Sequence, residues 1–95
     1  MDIAKGDLVI ATAGRERGGL FLVTEAQGGY LLLADGKHRR LEAPKRKNRA
    51  HVQRAPMQAQ ELAAKIRSSE IITNSELRKA LAAVRGGIGN QDQEG

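Results

Sequence analysis

The chain has 95 residues, enough for one small domain and a short tail. It contains no cysteine, so a disulfide framework, a thiolate zinc site and a cysteine nucleophile are excluded. No apolar run approaches the roughly 20 residues of a membrane helix, and the N-terminus lacks the basic and apolar segments of a signal peptide. These features predict a soluble, cytoplasmic protein with no membrane partner, and its small size argues against an enzyme.

Three apolar segments in the first part of the chain predict β-strands. They are residues 8–13, 20–23 and 30–34, and glycine-containing turns separate them. Asp35-Gly36 is a strong hairpin signal, so a fourth strand is predicted over Lys37–Glu42, with Pro44 ending it. Short strands at this spacing favour a small β-barrel over residues 1–54.

The second and third predicted strands are apolar on both faces, because the runs Leu20–Val23 and Leu31–Leu33 do not alternate with polar residues. An antiparallel sheet with one face in water should alternate. We therefore expect another part of the chain to cover the outer face of the sheet.

Residues 57–86 predict a helical extension with two amphipathic helices. Thr73-Asn74-Ser75-Glu76 matches a capping box at the start of the second helix, and Gly86-Gly87 is a fitting helix end. Residues 87–95 are then predicted to be a disordered tail. Packing of the apolar stripes against the barrel is favoured over recognition of a partner. The stripes are Ala59, Leu62, Ala63 and Ile66, and Leu77, Ala80, Leu81 and Val84.

The positive charge is concentrated in one segment. The formal net charge is +5, yet residues 37–54 alone hold eight basic side chains against the single acid Glu42. A basic strip of this kind is typical of proteins that bind a polyanion. The alternative is a solvated basic loop without a partner, which the scarcity of acids within the strip disfavours.

The strip and one glycine-rich loop supply the candidate RNA-binding residues. An arginine fork can bind a phosphate at two points or stack on a base, whereas lysine acts as a point charge, so this mixture favours backbone contacts before base contacts. If about half of the eight basic side chains contact phosphates, the salt slope of binding is about −3 to −4. The candidates are Arg15, Arg17, Lys37, Arg39, Arg40, Lys45, Arg46, Lys47, Arg49 and His51.

Other kinds of site have little support in the sequence. His38 and His51 are weak candidates for metal ligands, because no cysteine or clustered carboxylate accompanies them and the neighbouring cations would repel a metal ion. No carboxylate pair or Ser/His/Asp constellation predicts catalysis, and no cofactor is expected. Phe21 is predicted to lie in the core, as is Tyr30, with an RNA contact as the alternative for Tyr30.

The segment from Lys5 to Gly19 resembles a KOW motif. That motif has a Gly-Asp opening, alternating apolar residues, a glycine at the strand end and a basic-Gly pair. The matching positions are Gly6-Asp7, Val9 and Ala11, Gly14, and Arg17-Gly18. With the continuation through 20–23, 30–33, 35–36 and 44–52, the chain is similar to KOW-bearing large-subunit ribosomal proteins of archaea and eukaryotes. It is closer still to small bacterial KOW-domain RNA-binding proteins, which it also resembles over 72–81, so that about 80 residues are covered in order.

The resemblance implies an SH3-like five-stranded barrel that contacts RNA or ribosomal partners. The expected fold class is mainly β with α, with the barrel followed by C-terminal amphipathic helices. The predicted function is non-catalytic binding of folded RNA, above all ribosomal RNA, by shape and charge, with ribosomal proteins as further partners. The alternative is an adaptor whose barrel or helix stripe docks on the ribosome or on RNA polymerase.

Overall fold

The computed structural model describes the backbone of residues 2–93 and the side chains of residues 2–87. A short 3₁₀ turn, Arg49–His51, joins the last two strands. The order of elements confirms a β-rich fold followed by two helices. The elements are β1 (Leu8–Ala11), β2 (Leu20–Gln27), β3 (Tyr30–Ala34), β4 (Lys45–Asn48), β5 (Val52–Arg54), α1 (Gln60–Arg67) and α2 (Asn74–Gln93).

The five strands form one antiparallel sheet in the order β4-β3-β2-β1-β5. β1 lies between β2 and β5, and Ala11 pairs with Val52. β2 has an irregularity between Val23 and Glu25, where the register with β3 shifts. β4 and β5 are the two edges of the sheet, and no ladder joins them in the described part of the chain.

The predicted fourth strand over Lys37–Glu42 is wrong, because those residues form a loop and β4 begins only at Lys45, after Pro44. The Asp35 carboxylate accepts hydrogen bonds from the backbone N–H groups of Lys37 and Arg39 at 2.9 and 2.8 Å. Local bonds of this type compete with a strand ladder for the same donors. Asp35-Gly36 is therefore the start of a side-chain-capped loop and not a two-residue hairpin.

β2 is buried on both faces over Leu20–Val23, as its unalternating sequence predicts, whereas in β3 Leu31 and Leu33 are buried and Leu32, on the opposite face, is only half-buried. Successive residues of β2 point to opposite sides, so Leu20 and Leu22 contact one cluster while Phe21 and Val23 contact the other. The sheet core comprises Val9, Ala11, Phe21, Val23, Leu31, Leu33 and Val52. The helix core comprises Leu8, Leu20, Leu22, Ala34, Ala55, Leu62, Ile66, Ile72, Leu77, Leu81 and Val84.

The two helices supply the cover for the outer face. Leu77 and Leu81 of α2 have no solvent exposure, and Leu62 and Ile66 of α1 are buried beside them. The capping box is confirmed: the Thr73 hydroxyl accepts from the Glu76 N–H at 3.0 Å, and the Glu76 carboxylate accepts from the Thr73 N–H at 3.1 Å. The expectation that both stripes pack on the sheet is therefore confirmed.

Gln58 fastens the start of the helical extension to the sheet. Its side-chain oxygen accepts from the Leu8 N–H at 2.7 Å, and its Nε2 donates to the Leu8 and Ala55 carbonyl oxygens at 3.0 Å each. The amide thereby acts like one residue of a neighbouring strand for Leu8. It pairs the Leu8 N–H, which burial would otherwise leave unpaired, and adds a second donor to the Leu8 carbonyl, which also accepts from the Ala55 N–H at 2.9 Å.

The predicted helix end at Gly86-Gly87 is wrong, because α2 continues to Gln93. The predicted tail is thus helical as far as residue 93, and residues 94 and 95 lie outside the described residues. The burial of Leu81 and Val84 one turn earlier orders the helix through the glycines, because tertiary packing outweighs the weak helix preference of glycine.

Replacing Gly86 with alanine is expected to raise the free energy of unfolding by about 0.5–1 kcal/mol. A Cβ at Gly86 meets no atom within 4 Å, so the gain in helix propensity has no steric cost. Thermal unfolding followed by circular dichroism measures the change. Gly87→Ala is the matched control and should gain less, because its Cβ would lie 2.8 Å from Cε of Met57. A lower midpoint for Gly86→Ala would indicate a helix end at this position.

Candidate nucleic-acid interface

The loop between β1 and β2 presents two arginines on a well-bonded turn. Gly14 and Gly18 have φ angles of +82° and +87°, which side chains rarely adopt. The Gly18 N–H donates to the Ala11 carbonyl at 2.8 Å, and the Gly19 N–H donates to the Glu16 carbonyl at 2.8 Å. Arg15 and Arg17 lie exposed on this turn, so their guanidinium groups project from an ordered backbone.

Glu16 points inward from the same loop and bonds two cations. Its carboxylate accepts from Nη2 of Arg39 at 2.9 Å and from Nζ of Lys47 at 3.4 Å. The Arg39 bond is the largest influence and, with Lys47, lowers the pKa of Glu16 to about 2. Lys47 also donates to the Ala13 carbonyl at 2.7 Å. This cluster ties the β1–β2 loop to β4 and to the β3–β4 loop.

The β3–β4 loop, residues 35–44, is docked on the first turns of α2. The Asn74 side chain accepts from the Leu41 N–H at 2.8 Å and donates to Glu42 at 2.9 Å. Arg78 donates to the Gly36 carbonyl at 2.6 Å. A Cβ at Gly36 would lie 2.6 Å from the Asn74 carbonyl oxygen, so only glycine permits this close approach.

These contacts bring basic side chains from three segments to one surface, which we call the basic cleft. It consists of two adjoining depressions that share Asp35, His38 and Arg85. Glu16 and Asp35 are its acids, which leaves a net charge of +4 with His38 neutral. The basic residues that line it are Arg15 and Arg17, Lys37, His38 and Arg39, and Arg78 and Arg85 of α2.

Each acid of the basic cleft accepts two hydrogen bonds within the protein. Glu16 is bound to Arg39 and Lys47, as described above. Asp35 is buried, and its Oδ1 accepts the two loop N–H groups while its Oδ2 lies 3.8 Å from Nδ1 of His38. Arg15, Arg17, Lys37 and Arg85 are exposed around them, so the rim is dominated by positive charge.

Four of the ten predicted RNA-binding residues line the basic cleft, namely Arg15, Arg17, Lys37 and Arg39. Two others, Lys47 and Arg49, form hydrogen bonds with other residues of the protein. Lys47 is only 8% exposed, because its pairing with Leu31 turns its side chain toward the sheet core. Arg49 donates to the carbonyl oxygens of Ile3 at 2.7 Å and Gly28 at 2.9 Å.

The remaining predicted residues lie elsewhere on the surface. Arg40 is exposed, with its Nη1 3.9 Å from the Glu42 carboxylate. The guanidinium of Arg46 lies 4.0 Å from the ring centroid of Tyr30, which is half-buried. Phe21 is buried as predicted. Lys45 is half-buried and His51 is exposed, and neither lines the basic cleft.

Arg78 and Arg85 were missed by sequence reasoning, because they lie outside the basic strip in a segment that carries balanced charge. A signal was present: the two residues are seven positions apart on a helix whose other stripe is apolar. That spacing places both on one side of α2. Only the docking of the β3–β4 loop shows which surface they join.

Asp7, the acid of the Gly-Asp pair in the KOW-like segment, stabilises the fold. Asp7 is buried, and its carboxylate accepts from the Ala4 N–H at 2.9 Å and from Nη2 of Arg67 at 2.9 Å. Nε of Arg54 lies 3.6 Å from the other carboxylate oxygen. Asp7 therefore joins the start of β1 to β5 and to the end of α1, on a surface separate from the basic cleft.

Within residues 2–93, no group of three or more His, Cys, Asp or Glu side chains is arranged to hold a metal ion. None of the described helices combines the length and apolar character needed to cross a membrane. No protein-family model matches the chain, and no curated protein matches it.

Proposed function

We propose that this protein binds RNA, without catalysing a reaction, through the basic cleft. The observation that carries the proposal is the convergence of arginine and lysine side chains from two loops around two acids that each accept two hydrogen bonds within the protein. The proposed partner is structured RNA of the translation machinery, above all ribosomal RNA, and ribosomal proteins next to that RNA are further partners. Binding then takes place in the cytoplasm.

The chemistry of the rim favours a phosphate backbone. Arginine forks bind phosphate oxygens at two points, and Arg15 and Arg17 are exposed. If these two and Lys37 each neutralise one phosphate, the logarithm of the binding constant falls with the logarithm of salt concentration with a slope of about −2 to −3. Among the described residues of the cleft no Phe, Tyr or Trp ring is exposed, since Phe21 is only 4% exposed. Recognition by shape and charge follows from this surface.

The same proposal takes the sheet as an SH3-like barrel of the KOW class. The strand order β4-β3-β2-β1-β5 and the short 3₁₀ turn between β4 and β5 support this assignment. So does the glycine-rich β1–β2 loop, in which Gly14 and Arg17-Gly18 stand at the KOW-like positions and Arg17 lines the basic cleft.

Exchanging Arg15 and Arg17 together for glutamine is expected to weaken RNA binding by tenfold or more and to lower the salt slope by about 1.5–2. Filter binding of an RNA hairpin across a salt series measures both quantities, beside a DNA duplex of the same length. The double variant Arg40→Gln/Arg46→Gln removes the same charge from outside the cleft and is expected to bind within about twofold of wild type. Equal affinity for the RNA and the DNA would remove the RNA assignment and leave a general polyanion binder.

A protein-docking adaptor is the second candidate, and two apolar features of the helical region favour it. Ile71, in the connection between the helices, is 93% exposed, and Leu62, Ala80 and Val84 line an open groove between α1 and α2. Cosedimentation with ribosomes separates the two functions. If Arg15→Gln/Arg17→Gln cosediments as wild type does, the adaptor is favoured. Lys47 is unsuitable for a charge variant, because it is only 8% exposed and bonds Ala13 and Glu16, so its loss would disturb the fold.

A further inference from the structure

We infer that helix α2 is itself part of the RNA-binding surface, with Arg85 as a direct phosphate contact. α2 then both buries the helix core and forms one side of the RNA-binding surface. This inference rests on the proposed function and assigns to it a residue that lies more than thirty positions beyond the basic strip.

The spacing of Arg78 and Arg85 places both side chains on the side of α2 that lines the basic cleft. Seven residues correspond to about two helical turns, so the two side chains leave α2 within about 20° of each other and about 10.5 Å apart along its axis. Ala82 lies between them on the same side and is exposed. Its small side chain leaves room for a strand of RNA to approach the helix between the two arginines.

Arg85 differs from Arg78 in how it is engaged. Arg78 holds the Gly36 carbonyl and so contributes to docking of the β3–β4 loop. Among the described residues, no hydrogen-bond or ion-pair partner is found for the Arg85 guanidinium, which is exposed and lines both depressions of the basic cleft. Of the two α2 arginines that line the cleft, Arg85 is thus the one available to a phosphate.

The position of Arg85 is also well ordered. Leu81 and Val84, its neighbours on the buried side of α2, are fixed in the helix core. The first turn of the same helix is bonded to the β3–β4 loop through Asn74. The Arg15–Arg17 turn and α2 are therefore held at a set separation before RNA binds, which reduces the entropy lost on binding.

The test is the salt dependence of RNA binding by Arg85→Gln, with Lys79→Gln as the matched control. Lys79 is an exposed cation of the same helix, about 120° around the axis from Arg85, and it does not line the cleft. We expect Arg85→Gln to bind an RNA hairpin about tenfold more weakly, with a salt slope smaller by about one. Lys79→Gln is expected to keep the wild-type affinity and slope. Circular dichroism of both variants checks that they are folded.

Four other outcomes would contradict the inference, and each has a different explanation. Wild-type binding by Arg85→Gln would show that the RNA contacts only the two loops, and the proposed function would stand. Equal weakening by both variants would show a long-range charge effect without a contact on this side of α2. If polyglutamate displaces the RNA as effectively as unlabelled RNA does, the cleft is a site for an acidic protein. A wild-type protein that binds no RNA even in dilute buffer would remove the proposed function and the inference together.

Discussion

A chain that ends at Glu70 is expected to lose cooperative unfolding and to aggregate. It lacks α2, which buries Leu77, Leu81 and Val84. Their burial is worth about 1.5–3 kcal/mol each, or roughly 4–9 kcal/mol in all. A domain of this length has a total stability of about 5–14 kcal/mol. The loss is therefore comparable to the whole stability, and the strand residues beneath α2 become exposed to water.

Thermal unfolding by circular dichroism, binding of a hydrophobic dye and size-exclusion chromatography together measure this effect. A point variant of the full chain gives an independent measurement. Leu81→Ala is expected to destabilise by about 2–5 kcal/mol, because Leu81 has no solvent exposure. Lys79→Ala, two residues earlier and exposed, is expected to change stability by less than about 0.5 kcal/mol. A truncated chain that is monomeric and melts as the full chain does would show that the helices fold independently of the sheet.

The sequence predicts the parts of the fold that depend on local pattern. β3 lies at Tyr30–Ala34 as predicted, and the Thr73–Glu76 capping box forms because its two bonds join residues three positions apart. The cover over β2 is also predictable, because the apolar run Leu20–Val23 is buried on both faces of the strand. Each of these inferences needs only the side-chain periodicity of a strand or a helix.

The errors arise where long-range contacts decide between local alternatives. Asp35-Gly36 suits a tight hairpin, but the Asp35 carboxylate caps the loop and Asn74 holds it from 33 residues away. The charged segment Lys45–Asn48 pairs with β3, because the apolar strand needs a neighbour on that side. No propensity of Lys-Arg-Lys-Asn would place a strand there.

The same argument explains why the residues of the basic strip do not lie on one surface of the folded protein. The register of β4 against β3 decides which of its side chains turn inward, and a shift of one residue would reverse them. In the observed register Lys47 lies opposite Leu31 and is buried, while Arg46 faces outward over Tyr30. The interface is instead assembled from segments that are far apart in sequence.

The acid stability of the fold is expected to depend on Glu16, the carboxylate that joins the β1–β2 loop to Arg39 and Lys47. Its side chain is 16% exposed, and its pKa in the folded protein is about 2 against an ordinary value of 4.5. Because the unfolded chain takes up the proton first, the ionised form stabilises the fold at every pH above about 4.5. That contribution is lost as the pH falls from about 4.5 to about 2.

Glu16→Gln is therefore expected to be less stable than wild type by about 2 kcal/mol at neutral pH, since it removes charge-assisted bonds from Arg39 and Lys47. The difference between the two proteins should shrink toward zero as the pH falls to about 2, and urea unfolding at a series of pH values measures it. Glu70→Gln is the control, because Glu70 is exposed and lies away from the loop. A wild-type advantage over Glu16→Gln that stays constant down to pH 2 would contradict the assigned role, since it would then not depend on the charge of Glu16. If the role is correct, the loop that carries Arg15 and Arg17 also loosens in acid, and RNA binding weakens over the same pH range.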